Sequence, residues 1–339
     1  MNKLFCRFVV FSLAVFFALT SSSQAYAAKP IVCKMALTVG KEHAYAIAYQ
    51  RMADLIEKRT NGAIKVEMFY DGQLGSDREV FEALQSGGVQ GTMVSTGTLS
   101  PFAKKLMVFD LPFLFPNRDV AFKVQESKVG EELLHAIDGS GVTALCFWES
   151  GYYWLTNNKI NIATVEQLKN IKVRSLEATT HQDTWKALGM LPTVMPFGEL
   201  FTALQQGVVD AQANTIPNIV TTKVYEIQKN IAEFPIFYHT MMVLFSDNFL
   251  NKLTPEQKKI VKDTALEVRD WHKQNNGKII KENIAMLKKK GNTFTKFSQA
   301  ELDKAKKICA PVYDKTAKDV GGDLVKRLTA EVAKVSKSK

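Results

Sequence analysis

An internal repetition constrains this chain more than any other feature. Residues 31–38 are apolar and β-prone. Residues 44–58 carry Ile47, Met52, Leu55 and Ile56 at helical spacing, Asn61-Gly62 stops that helix, and 63–70 read as a second strand. Ser76-Asp77-Arg78-Glu79 is a capping box opening a helix through Phe81 and Leu84, Gly87-Gly88 ends it, and 89–95 form a third strand. This βαβαβ order implies a parallel sheet with helices on its faces. The order recurs downstream: strand 171–175, helix 179–188, strand 192–195, helix 198–206, strand 208–213. Segments 79–91 and 199–211 share seven of 13 residues in register.

The expected fold class is therefore α/β, with two related lobes, each a mainly parallel sheet flanked by helices. In open parallel sheets, ligands sit beyond the carboxyl ends of the strands. Two lobes facing each other that way enclose a cleft. At the offset of 120, Val94-Ser95 matches Asn214-Thr215, so both pairs should line it. The last third is helical. Thr254-Pro255-Glu256-Gln257 combines an N-cap, a first-turn proline and a capping-box Gln. Helical patterning then runs to Lys290, a span long enough to bridge both lobes, with Gly277 as a candidate kink. Ser298 to Glu301 is another capping box. The expected division is 28–150 plus 241–279 for the first lobe and 151–240 plus 280–339 for the second.

The first 27 residues are a signal peptide by pattern. Lys3 and Arg7 precede an apolar run, 8–19, and polar residues lead to Ala25-Tyr26-Ala27. The run is too short to span a hydrocarbon core of roughly 30 Å. Cleavage after Ala27 leaves a chain in which 234–250, the most apolar later stretch, is interrupted by His239, Ser246, Asp247 and Asn248 and reads as buried strand plus loop. The formal net charge of +10 admits nucleic acid, acidic membranes or small anions as partners. Export argues against nucleic acid. Cys33, Cys146 and Cys309 are odd in number and read as small buried hydrophobes.

Catalytic signatures are absent: no HExxH, GxSxG, CxxC or Walker A loop, and no histidines at metal-ligand spacing. No catalytic residue, metal or cofactor is expected. Arg174 ends a buried strand, so it must be paired, with Glu177 or another acid, or turned into the cleft to meet an anion. The aromatic run 151–154 places Tyr153 and Trp154 between the lobes, either as hinge packing or as a pocket wall. Asn214 either stabilises a turn or meets a ligand. Glu42 and His43 start the first helix, and Phe197 precedes another as core or lid. A binding module leads over an exported α/β enzyme acting on a small acid, or a ligand sensor for a membrane receptor.

Gln73-Leu-Gly-Ser-Asp-Arg-Glu79, Lys172-Val-Arg174 and Leu200-Phe-Thr-Ala-Leu-Gln-Gln-Gly-Val-Val-Asp-Ala-Gln-Ala-Asn214 resemble the solute-binding subunit of tripartite ATP-independent periplasmic (TRAP) transporters, dicarboxylate-binding (DctP) type. The resemblance spans essentially the whole mature chain. It implies a two-lobed periplasmic binding protein that closes around a small organic acid. Such a protein delivers the acid to one small and one large membrane subunit for ion-gradient-driven uptake, and a monomer is expected. It assigns Arg174 to a carboxylate salt bridge and Asn214 to the ligand, with Phe197, Ser95 and Thr96 matching further pocket positions. Tyr153, His43 and Trp154 complete the expected ligand-binding set. Many relatives carry arginine at the position of Tyr153, and its absence favours a single-anion ligand. Ser95 stands where an acid is often found, which argues against an amino-bearing ligand, and Thr215 replaces a frequent proline.

Overall fold

The computed structural model describes residues 29–337, so the signal peptide expected at 1–27 lies outside the described residues. The strands form two sheets. The first has the order β2 (Ile64–Phe69), β1 (Ile31–Ala36), β3 (Gly91–Ser95), β10 (Tyr238–Ser246), β4 (Val142–Tyr152). The second has β11 (Thr293–Lys296), β9 (Asn230–Glu233), β5 (Trp154–Asn157), β8 (Ala211–Asn214), β6 (Lys172–Ser175), β7 (Leu191–Val194). The two βαβαβ runs form the parallel parts, β2-β1-β3 and β7-β6-β8, in the same spatial order. The sequence repeat is thus a repeat of topology.

Both sheets are mixed, because strands that link the lobes complete them. β4 leaves the first lobe and continues through Tyr153 into β5, while β9 leaves the second and returns through 234–237 as β10. Outgoing and returning strands run opposite ways, so β10 pairs antiparallel with β4 and β3, and β5 with β8 and β9. Tyr153 N–H donates to the Phe237 carbonyl at 3.1 Å, joining the two crossings. The expected strand in 234–250 is β10, and its alternation feeds both faces of the sheet. Met242 and Leu244 face one core cluster, and Met241, Val243 and Phe245 the other.

The third link is the helix Pro255–Lys289, held at its start by the full Thr254/Gln257 capping box. Its first half packs Val261, Ala265 and Val268 on the first lobe, and its second half packs Ile280, Ile284 and Leu287 against Ile216 and Ile219 of the second. It runs continuously through Gly277. At Ser298 only half of the expected box forms: Ser298 caps Glu301 N–H, but the Glu301 carboxylate accepts from Val165 N–H at 2.6 Å instead. The expected division of the chain fails at its end. The helix Gly322–Lys337 buries Leu324, Val325 and Leu328 in the first lobe's core beside Val120 and Leu133, so the chain returns to the first lobe. Cys33, Cys146 and Cys309 are free and buried.

Candidate functional site

β3, β6 and β8 point their carboxyl ends at the space between the lobes. There a cavity is lined from the first lobe by Thr38, Tyr45, Asp77, Ser95 and Thr98, and from the second by Arg174, Leu176, Phe197, Asn214 and Asn218. Tyr153, His239 and Met241 come from the linking strands. Local sequence sets these positions. Ser95 ends β3 and its Oγ caps the short helix Thr96–Leu99, accepting from Thr98 N–H. Asn214 ends β8 just before Thr215 opens the helix Ile216–Thr221, with Pro217 in its first turn. The repeat offset therefore delivers matched strand ends to one cavity.

Arg174 is the cavity's cation and is 6% exposed. Its Nε and Nη2 both donate to the Met195 carbonyl at 3.1 Å, which fixes the guanidinium plane and leaves the remaining N–H groups of the fork unused. The expected alternative, an ion pair with Glu177, is not made. Glu177 pairs with Arg78 at 3.1 Å, and among the described residues no acid lies within salt-bridge distance of Arg174. Burial pulls the pKa of Arg174 down, opposed by Tyr153 and Asp77 nearby. A guanidinium remains protonated regardless. The site thus holds a buried positive charge with no ion pair of its own, an arrangement that costs free energy unless an anion arrives.

The other groups are neutral or conditional. His239 faces the cavity with its pKa pushed down to about 3 by burial, with His181 and Arg174 adding to the effect, so it carries no charge near neutrality. Tyr153 is buried, its phenol held protonated by desolvation. Asn214 Oδ1 accepts from Thr215 N–H at 3.0 Å and from Asn218 Nδ2, which leaves Asn214 Nδ2 as a donor for the cavity. Asp77 is the one carboxyl there. Thr38 Oγ1 donates to it at 2.8 Å, and burial pushes its pKa up to about 6, partly opposed by Thr38 and Arg174. Sequence reasoning treated Asp77 only as part of a capping box. The absence of an acid at Ser95 therefore does not leave the cavity without one.

Three expected residues lie elsewhere. Thr96 Oγ1 donates to Asp110 at 3.0 Å, beneath the lining. Trp154 follows Tyr153 on a strand, so it faces the opposite side and packs edge-on against Phe294. His43 is fully buried behind Tyr45 and caps the helix Ala44–Arg59, its Nδ1 accepting Tyr45 N–H at 3.2 Å. Arg174, Asn214, Tyr153, Phe197 and Ser95 do come together. Sequence reasoning missed Asp77, Tyr45, Asn218 and His239. Only Asn218 left a signal, one helical turn beyond Asn214.

Comparison with known proteins identifies the family. Residues 35–319 match the DctP family, described as bacterial extracellular solute-binding protein, family 7. The C4-dicarboxylate-binding periplasmic protein DctP of Rhodobacter capsulatus is 30% identical over 311 residues, covering 90% of this chain and 92% of that one. The sugar acid binding protein DctPAm of Advenella mimigardefordensis, in complex with galactonate, superposes with a TM-score of 0.88 at 28% identity, covering 91% and 99%. A TRAP periplasmic solute-binding protein of Polaromonas sp. JS666 bound to D-erythronate gives 0.85 at 31% identity, covering 88% and 98%. The chain belongs to the DctP family of TRAP periplasmic solute-binding proteins, which bind small organic acids. Among the described residues no helix is long and apolar enough to cross a membrane.

Proposed function

We propose that this protein captures an organic acid bearing one carboxylate in the cleft and, as a periplasmic monomer freed of residues 1–27, delivers it to small and large TRAP membrane subunits for ion-gradient-driven uptake. The observation that carries the reading is the buried fork of Arg174, with no acid paired to it. A carboxylate from the ligand takes the free edge of that fork. Asn214 Nδ2 donates beside it, Tyr153 supplies a ring face and a hydroxyl, and Phe197 and Ser95 close the wall. A second carboxylate would meet Tyr153, Tyr45 and a neutral His239, and the cleft's other cation, Arg78 at its mouth, is already paired with Glu177. Asp77 favours hydroxyl groups on the ligand body, which can donate to it. Galactonate and D-erythronate, bound by the two similar proteins, each have one carboxylate and several hydroxyls. The test is a thermal-shift screen of hydroxy, keto and aromatic acids with native mass spectrometry of whatever copurifies. Selective stabilisation by monocarboxylates supports the reading, and stabilisation only by dicarboxylates contradicts it.

A further inference from the structure

His239 Nδ1 lacks a hydrogen-bond partner at the cavity, and so do His43 Nε2 in the first lobe and Asn218 Oδ1 in the second. Buried polar groups without hydrogen bonds are rare and call for an explanation. His43 and Asn218 are complementary. His43 Nδ1 accepts Tyr45 N–H, so the neutral ring carries its proton on Nε2 and is a donor there. Asn218 already donates through Nδ2 to Asn214 Oδ1, so its own Oδ1 is an acceptor in want of a donor. The Asn218 side chain lies close enough to His43 to oppose the fall that burial imposes on its pKa, yet no hydrogen bond joins the two in this structure.

We infer that His43 is a positioning residue that sets the hydrogen-bond polarity of the ligand site by donating from Nε2 to Asn218 Oδ1 when the lobes close. The inference rests on the reading of the cleft as an anion site. An amide has a donor end and an acceptor end, and either can face a cavity. With His43 donating to its oxygen, Asn218 must turn its NH₂ to Asn214. Asn214 then spends its oxygen on Asn218 and on Thr215 N–H, and presents NH₂ to the ligand. Without the His43 donor, the Asn218 amide is free to reverse. The Asn218 oxygen then meets the Asn214 oxygen that Thr215 N–H holds, so Asn214 either stays in that clash or breaks its bond to Thr215 and shows the carboxylate an oxygen, which repels it. Because His43 and Asn218 belong to different lobes, the bond also makes the donor at Asn214 conditional on closure.

The decisive variant is His43→Asn. Asn is a preferred N-cap, so the helix start is kept, but it is too short to reach Asn218. Measured by calorimetry with D-erythronate and galactonate as probes, His43→Asn should bind at least tenfold more weakly than the parent while remaining folded without ligand, with only the lowered melting temperature that trimming a buried ring brings. Asn218→Asp, which cannot donate to Asn214, should lose as much, and His43→Gln, which can both reach and donate, should recover most of the loss. ¹⁵N spectra of the parent should show His43 protonated on Nε2 in the presence of ligand. Parent-like binding by His43→Asn, recovery no better in His43→Gln, or a ring protonated on Nδ1 would overturn the inference. Arg174→Ala is titrated alongside. If it loses binding while His43→Asn does not, only the His43 role fails; if the parent binds neither probe and Arg174→Ala changes nothing, the anion site itself fails.

Discussion

Two buried charges lie close to the interlobe crossing, and the protein treats them in opposite ways. Glu149, near the end of β4, is 1% exposed and fully partnered. Arg118 reaches it through Nε at 2.7 Å and through Nη2, Tyr238 Oη donates at 2.6 Å, and Asn276 Nδ2 at 3.1 Å. The backbone carbonyl of Glu149 accepts from His272 Nε2 at 2.9 Å. All three links between the lobes converge there: β4, β10 and the long helix. Arg174, in the cleft, has one carbonyl and no acid. A charge whose hydrogen bonds are all made within the protein holds the fold. One left with free donors is held for something that comes from outside, and the fold bears the cost of keeping it.

That contrast breaks most visibly in stability. Glu149→Ala removes the anion and strands Arg118, so it should destabilise the ligand-free protein by about 3 kcal/mol, since breaking a buried pair from one side leaves the other charge uncompensated. Urea unfolding checks this. Arg174→Met should do the reverse. It should abolish binding, a loss on the order of 2–5 kcal/mol, and leave the ligand-free melting temperature unchanged or higher. A lower melting temperature would mean that Arg174 is structural after all.

Asp77 sharpens the comparison, because it decides how much of the Arg174 charge is free. Its pKa is raised to about 6, so it is ionised above that pH and neutral below it. A bound anion raises it further. Binding of a monocarboxylate should therefore take up protons near pH 6 and weaken as pH rises from 5.5 to 8. Calorimetry in buffers of different ionisation enthalpy reads the uptake. Asp77→Asn should flatten the profile. The sign for stability is the same: a carboxyl with a raised folded-state pKa loses stability as pH rises through the interval between its unfolded value and about 6. The smallest effect belongs to the ion pair at the mouth, Arg78 with Glu177, which joins the lobes but is exposed on its arginine side. Arg78→Ala should weaken ligand affinity only slightly, with the change vanishing at high salt.

The repeat made much of this legible in advance. Strand ends at Ser95 and Asn214 reached the cleft because a period-2 strand followed by a cap leaves little freedom in where its last side chain points. Arg174 was legible for a related reason: a charge at the end of a buried strand needs a partner, and its neighbourhood offers few. Trp154 and Thr96 were misplaced by a single position, since adjacent residues on a strand or at a helix start face different ways. Asp77 was hidden by its capping box, whose Ser76 and Glu79 do the capping while Asp77 faces the cavity. His239 came from a strand of the other crossing, and nothing local to it announces a cavity 65 residues from Arg174 in sequence. The antiparallel strands escaped for the same reason, being determined by where the chain crosses between lobes.

The central claim is that Arg174 is a single charge awaiting a single carboxylate. D-erythronate and meso-tartrate test it most directly, because they share a four-carbon skeleton with the erythro arrangement of its two inner hydroxyls and differ in whether one end is a hydroxymethyl group or a second carboxylate. Titrated at pH 7.5, D-erythronate should bind at least tenfold more tightly, about 1.4 kcal/mol. Equal or tighter binding of meso-tartrate would contradict the account, since a second cation would then have to complete the site.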